Sequence, residues 1–235
     1  MRLLVTRPQP DAERTAATLG ARGHEVLLAP LIEVEPFPDA RLGAGPWGGI
    51  ILTSANAVRA IERHARRAEL WSYPVFAVGR RTAEAARAAG FARVASADGD
   101  ARDLVRLVLA GDRAPLLYLA GEDRAADIVG ELAAHGVRVA TAVVYRAVQA
   151  QAFAPPVAAA LRAGAIDGVL HFSRRSAAVY LDCARKAGLL VRALTPSHYC
   201  LSEQVAEPLK AAGAARLAIA GRPEEAALID LVPSS

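Results

Sequence analysis

Ile50-Ile51-Leu52-Thr53-Ser54 is an apolar run that ends in serine and passes straight into Ala55-Asn56-Ala57-Val58-Arg59-Ala60-Ile61. The same phrase returns as Val169-Leu170-His171-Phe172-Ser173, followed by Arg174-Arg175-Ser176-Ala177-Ala178-Val179-Tyr180-Leu181. Short apolar runs with β-branched residues read as buried strands, and serine before a helical pattern reads as its N-cap. Each copy is followed by a second matching phrase. Phe76-Ala77-Val78-Gly79-Arg80-Arg81-Thr82-Ala83-Glu84 pairs with Tyr199-Cys200-Leu201-Ser202-Glu203-Gln204-Val205-Ala206-Glu207. A duplicated strand–serine–helix unit predicts two similar domains that both present helix N-termini. Exposed N–H groups and the helix dipole make such ends carboxylate or phosphate sites. Two of them facing each other would grip a polyanion.

Outward from these phrases, strands and helices alternate along the chain, the pattern of an α/β protein with parallel sheets. Leu3-Leu4-Val5, a helix from Asp11 to Arg22 stopped by Gly23, and Val26-Leu27-Leu28 come first. Pro30, Pro36, Pro38, Gly43, Gly45 and Pro46 mark a linker, within which Leu31-Ile32-Glu33-Val34-Glu35 alternates as a half-exposed ribbon strand does. The next block carries strands at Ile51, Phe76–Val78, Val94, Leu116–Leu119 and Val137–Val139, and helices over Arg102–Ala110 and Arg124–His135. A second ribbon, Thr141–Val148, leads away from it.

Leu3–Arg7 through Gly23–Val26 resembles Leu117–Gly121 through Gly136–Val139: strand, charged turn, helix, glycine, strand. The N-terminal piece therefore reads as the missing part of the C-terminal block. The expected layout is a discontinuous first α/β domain (1–30 plus 152–235), a second over 47–140, and hinge linkers at 31–46 and 141–151. Two crossings predict a two-stranded hinge, a cleft facing it and large motion between lobes.

The composition bounds the function. The 235 residues suit two domains of roughly 100–120 each. Apolar residues make up 53%, ample for cores, yet no run nears the ~20 apolar residues of a membrane span. Met1–Arg7 lacks the h-region and cleavage site of a secretory signal. Cys183 and Cys200, the only cysteines, form no CxxC and read as reduced thiols of a cytoplasmic protein. The net charge of +4 fits an anionic ligand, but the arginines are scattered without interleaved aromatics, which argues against nucleic acid. Gly43-Ala44-Gly45-Pro46-Trp47-Gly48 is a literal GxGxxG, but it precedes a strand and contains proline, so it reads as linker. His24, His64, His135, His171 and His198 have no metal-ligand spacing. Glu122-Asp123 and Glu224-Glu225 read as helix-start carboxylates.

Ser54, Ser173 and Ser202 read equally well as plain N-caps or as ligand contacts. Their place at the carboxyl ends of parallel strands, where open α/β sheets bind ligands, favours the second reading, and Thr82 shares that rim. Tyr145 stands in the returning ribbon with no core pattern around it.

Across nearly its full length the chain resembles the uroporphyrinogen-III synthase family: the opening LLVTRP, then ILTSANAV, AVGRRTAEA, LYLAGE, VVYR, HFSRRS and the closing AIAGRPEEAALIDLV, in that order and spacing. The resemblance implies two flavodoxin-like parallel-sheet domains joined by a two-stranded ladder. It implies cyclisation of hydroxymethylbilane, a linear tetrapyrrole with eight carboxylates, to uroporphyrinogen III, with loss of water and inversion of the last ring through a spiro intermediate. It also implies that no metal or cofactor is used; a monomer is expected, and transient contact with the deaminase that makes its substrate is left open. Tyr145 matches the tyrosine proposed to assist departure of the hydroxyl, and Ser54, Thr82 and Ser173 match cleft hydroxyls. At Ser202 the pattern departs. Relatives often carry a threonine early in this helix, where this chain reads Glu203-Gln204-Val205, leaving Ser202 or backbone amides alone to replace it. Arg7, at the first strand's end, reads as a carboxylate contact or a surface arginine. Two other readings share parts of this pattern: a non-catalytic two-lobed binder of small anions, and a receiver-like module. The first wants a secretory signal, the second an acidic cluster at the strand ends.

Overall fold

The apolar runs become central strands because both of their faces are covered. The computed structural model describes residues 1–111, 114–124 and 126–233. In it the chain forms two units, Met1–Glu33 with Val148–Ser235, and Val34–Ala147. The first unit opens with β1 (Arg2–Val5), α1 (Asp11–Ala21) and β2 (Glu25–Leu28), and the chain leaves along β3 (Ile32–Pro36). The second holds β4 (Gly49–Leu52), α2 (Ala55–Ile61), the short α3 (Arg67–Leu70), β5 (Val75–Ala77), α4 (Arg80–Ala88) and β6 (Val94–Ser96). It continues with α5 (Ala101–Leu109), β7 (Leu116–Gly121) and α6 (Ile128–Ala134), and the long β8 (Val139–Gln149) carries the chain back. The first unit is completed by α7 (Pro155–Arg162), β9 (Gly168–His171), α8 (Arg174–Lys186), α9 (Leu190–Leu194), β10 (Ser197–Cys200), α10 (Glu203–Ala211), β11 (Leu217–Ile219) and α11 (Glu225–Ile229).

The first sheet has the order β2-β1-β9-β10-β11, with every pairing parallel. The second has the order β3-β8-β7-β4-β5-β6 and is parallel from β8 to β6. Without β3, the second order is the first with β7 in place of β1, β8 of β2, β4 of β9, β5 of β10 and β6 of β11. This is the flavodoxin-like doubly wound order. It matches the pairs of phrases read from the sequence, and it makes the second unit a circular permutation of the first.

Successive side chains of a strand point to opposite faces, so a strand covered on both sides needs an unbroken apolar run. Ile50 and Leu52 join Val58, Ile61, Leu70 and Ala86 in one core cluster, while Ile51 between them joins Leu104, Val108 and Leu132 on the other face. In the first unit Leu4 and Val169 pack with Leu161, Tyr180 and Leu209, whereas Leu3, Val5 and Leu170 pack with Leu19 and Leu228. Full burial of each such side chain stabilises by about 1.5–3 kcal/mol.

Two elements differ from the sequence expectation. Val137–Val139 and the ribbon Thr141–Val148 read as separate strands, but β8 starts at Val139 and runs unbroken through the ribbon. Ala140 pairs opposite Leu117, and no Gly or Pro interrupts the ladder. The helix expected over Arg124–His135 begins only at Ile128. Asp127 caps it, its carboxylate accepting from the Gly130 N–H at 2.8 Å.

Candidate functional site

Of the helices that start at the carboxyl rims of the two sheets, four have their N-cap two residues past the end of their strand. Ser54 follows β4, Gly79 follows β5, Ser173 follows β9 and Ser202 follows β10. The corresponding caps share a backbone geometry. Ser54 (φ −150°, ψ 140°) matches Ser173 (−149°, 149°), and Gly79 (−156°, 170°) matches Ser202 (−160°, 170°).

Their chemistry divides by pair. The Ser54 hydroxyl accepts from the Asn56 N–H at 3.1 Å. The Ser173 hydroxyl accepts from the Ser176 N–H at 3.0 Å and lies 2.8 Å from the Ser176 hydroxyl. Gly79 and Ser202 make no side-chain cap hydrogen bond. The first N–H groups of a helix have no intrahelical acceptor, so α4 and α10 keep donors for an anion. In α4 the potential is reinforced: its first turn holds Arg80 and Arg81, both exposed, and no acidic residue. Thr82, by contrast, is only 6% exposed and lies on the buried face of α4 with Ala83 and Ala86. The accessible groups at this rim are therefore the arginines and the backbone. Sequence alone does not single them out, because arginines on a helix ordinarily mark a solvated face.

In the second unit, Tyr145 is not coreless as the sequence suggested. Its ring packs half-buried against the cluster built on Ile50, Leu52 and Val144. Burial pushes its phenol pKa above the ordinary 10.0. A hydrogen bond from the Ser54 hydroxyl pulls it down, and Tyr118 and Asp123 add to the rise. The net shift is upward, so at neutral pH the phenol carries its proton. Beside it, the Thr53 and Tyr118 hydroxyls are hydrogen-bonded at 3.0 Å. The site thus offers a protonated phenol at the end of β7, held by the serine that caps α2.

In the first unit, Arg7 is a buried residue and not the surface arginine that one reading of the sequence offered. It is 3% exposed, its guanidinium 2.8 Å from the Glu225 carboxylate, 3.6 Å from that of Asp11 and 3.0 Å from the Thr15 hydroxyl, with the Phe172 ring over it at 4.2 Å. Glu225, read from sequence as a helix-start carboxylate, is the other half of this clamp. Burial raises its carboxyl pKa, but hydrogen bonds from Thr15 and Arg7 and the Arg7 charge outweigh that and hold it below the usual range.

His171 and His198 lie side by side on β9 and β10, Nε2 to Nδ1 3.1 Å, both fully buried against the Tyr180 ring. Burial drives His171 well below its ordinary pKa and His198 down to about 4, so both are neutral at pH 7. Among the described residues, no group of three or more His, Cys, Asp and Glu is placed to hold a metal ion.

The chain matches the family model described as Uroporphyrinogen-III synthase HemD over residues 13–230. Among solved structures it is similar to the uroporphyrinogen-III synthetase of Helicobacter pylori, at 19% identity over 98% of each chain with a TM-score of 0.66. It is also similar to a mutant uroporphyrinogen III synthase of the extremely thermophilic bacterium Thermus thermophilus, at 17% identity over 98% of this chain and 97% of that one, with a TM-score of 0.57. At these identities the structural likeness is one of fold. No curated protein matches the sequence.

Proposed function

The chain belongs to the uroporphyrinogen-III synthase family, and we propose that its rim helices hold the carboxylates of hydroxymethylbilane while the Tyr145 phenol assists loss of the terminal hydroxyl. The reaction is the cyclisation of hydroxymethylbilane to uroporphyrinogen III. The hydroxyl leaves as water, and the last ring is inverted through a spiro intermediate before the macrocycle closes.

The demands of this chemistry are few. A flexible polyanion has to be coiled so that its two ends meet, and a poor leaving group has to be helped away. Holding reacting ends together supplies up to about 7–11 kcal/mol in ideal cases. Backbone N–H groups at the starts of α4 and α10, the Arg80 and Arg81 guanidiniums, and the hydroxyls of Ser173 and Ser202 are the carboxylate contacts. Ser54 and Thr82 stand beside them, with Ser54 on the phenol and Thr82 turned inward. Arg7, paired with Glu225 at 2.8 Å, supports the first rim from within. A phenol whose pKa lies above 10 gives up its proton reluctantly, so Tyr145 acts by a hydrogen bond that strengthens as charge builds on the departing oxygen.

The observation that carries this reading is the Tyr145 hydroxyl fixed at the strand-end rim by Ser54. Tyr145→Phe is expected to lower turnover several-fold with an unchanged circular dichroism spectrum. Unchanged steady-state kinetics would remove Tyr145 from the mechanism. We further propose that the protein acts as a cytoplasmic monomer supplied by transient contact with the upstream deaminase. The two buried free thiols, Cys183 and Cys200, suit a reducing compartment, and no helix among the described residues is long and apolar enough to cross a membrane.

A further inference from the structure

We propose that Gly121 and Ser54 are positioning residues for the reaction: a β-bulge at Val144 turns Tyr145 toward α2, Gly121 leaves room for the phenol, and Ser54 fixes its hydroxyl. The inference rests on the reading of Tyr145 given above. Its first support is the register. β7 and β8 pair one to one from Leu116 opposite Val139 to Ala120 opposite Val143, and then Gly121 stands opposite Tyr145, so Val144 is an extra residue. The Glu122 N–H donates to the Tyr145 carbonyl at 2.9 Å and pins the shifted register. In an unbroken strand Tyr145 would face away from Ala142 and Val144. Instead it packs against the cluster that contains them both. Bulges re-aim a side chain in this way.

The second support is the glycine. Gly121 is not among the residues with positive φ, so its backbone does not call for glycine. Its surroundings do. A Cβ at this position would lie 2.7 Å from Cζ and 2.8 Å from the hydroxyl oxygen of Tyr145. The corresponding position in the first unit holds Arg7, so the glycine is particular to the unit that carries the tyrosine. The third support is the serine. Its oxygen accepts from the Asn56 N–H, which leaves its own O–H to donate to the phenol oxygen.

Steady-state kinetics of Ser54→Ala, Ser54→Thr and Gly121→Ala, each in the native and the Tyr145→Phe background, test the proposal. Ser54→Ala is expected to lower kcat about fivefold with KM little changed, the equivalent of one hydrogen bond of about 1 kcal/mol. Ser54→Thr keeps the hydroxyl and the cap and restores kcat. Gly121→Ala lowers kcat as far as Tyr145→Phe does. In the Tyr145→Phe background neither Ser54→Ala nor Gly121→Ala lowers kcat further, because the group they position is gone. Equal losses in both backgrounds, or a rise in KM alone, would overturn the proposal by showing a structural or substrate-contact role. If Tyr145→Phe itself leaves kcat unchanged, the catalytic reading fails. Absorbance titration of the phenol then still tests the positioning: Ser54→Ala raises the Tyr145 pKa if the serine holds the hydroxyl, and an unmoved titration refutes it.

Discussion

Ser173 and Ser202 stand at the same rim, each two residues past its strand, yet only Ser173 caps its helix with its side chain. Ser173 accepts from the Ser176 N–H, whereas Ser202 accepts no hydrogen bond from its own helix. Ser173→Ala is therefore expected to lower stability by about 1 kcal/mol. Ser202→Ala should change stability by less than about 0.5 kcal/mol, as an ordinary surface substitution does, while raising KM. Urea titration beside steady-state kinetics separates the two, and a stability loss in both variants would return Ser202 to a capping role. From sequence the serines were legible as helix starts at strand ends, because residue type and apolar spacing fix that much. Whether a hydroxyl is taken by its own helix depends on a rotamer, which sequence does not carry. Thr82 and Arg7 show the same limit. One faces inward and the other is clamped by Glu225, a partner 218 residues away in the chain.

At the scale of elements, the pairing of β9 with β10 places His171 and His198 in contact, with Cys200 opposite His171 and His198 opposite Val169. In the sequence the two histidines show only an absence of metal-ligand spacing. Register and neighbouring-strand identity decide their contact, and neither is local to the sequence. Both are buried neutral, with folded-state pKa values below the unfolded value of 6.5. The unfolded chain therefore takes up protons first as pH falls. The stability this pair confers is complete above about pH 6.5 and is lost progressively toward about pH 4, on the order of 3 kcal/mol for His198 alone. Urea unfolding between pH 7 and 4 should show this loss, and His198→Gln should reduce its slope; a slope untouched by the substitution would place the titration elsewhere. The same dependence on distant pairing explains β8. Its hydrophobic pattern was visible, but the bulge that turns Tyr145 toward Ser54 exists only in the ladder with β7.

The two units carry one strand order in permuted form, and this was the most legible part of the molecule, because duplication writes the same apolar runs twice. The chain passes between units at Glu33/Val34 and Ala147/Val148, where β3 and β8 are neighbours in the sheet. Near that point the Ala150 N–H donates to the Leu31 carbonyl at 3.0 Å, and the β1–β9 ladder joins the two pieces of the first unit in its sheet. Replacing residues 34–147 by an Asn-Gly hairpin turn is expected to leave a first unit that unfolds cooperatively, since that turn suits a two-residue connection. Non-cooperative melting would show that the unit depends on the excised segment. For the reaction itself, the most direct measurement is to mix freshly generated hydroxymethylbilane with the protein, oxidise the products and separate isomers I and III by chromatography. Isomer III in protein-dependent excess is the predicted result; isomer I alone, as in the spontaneous closure, would contradict the assignment.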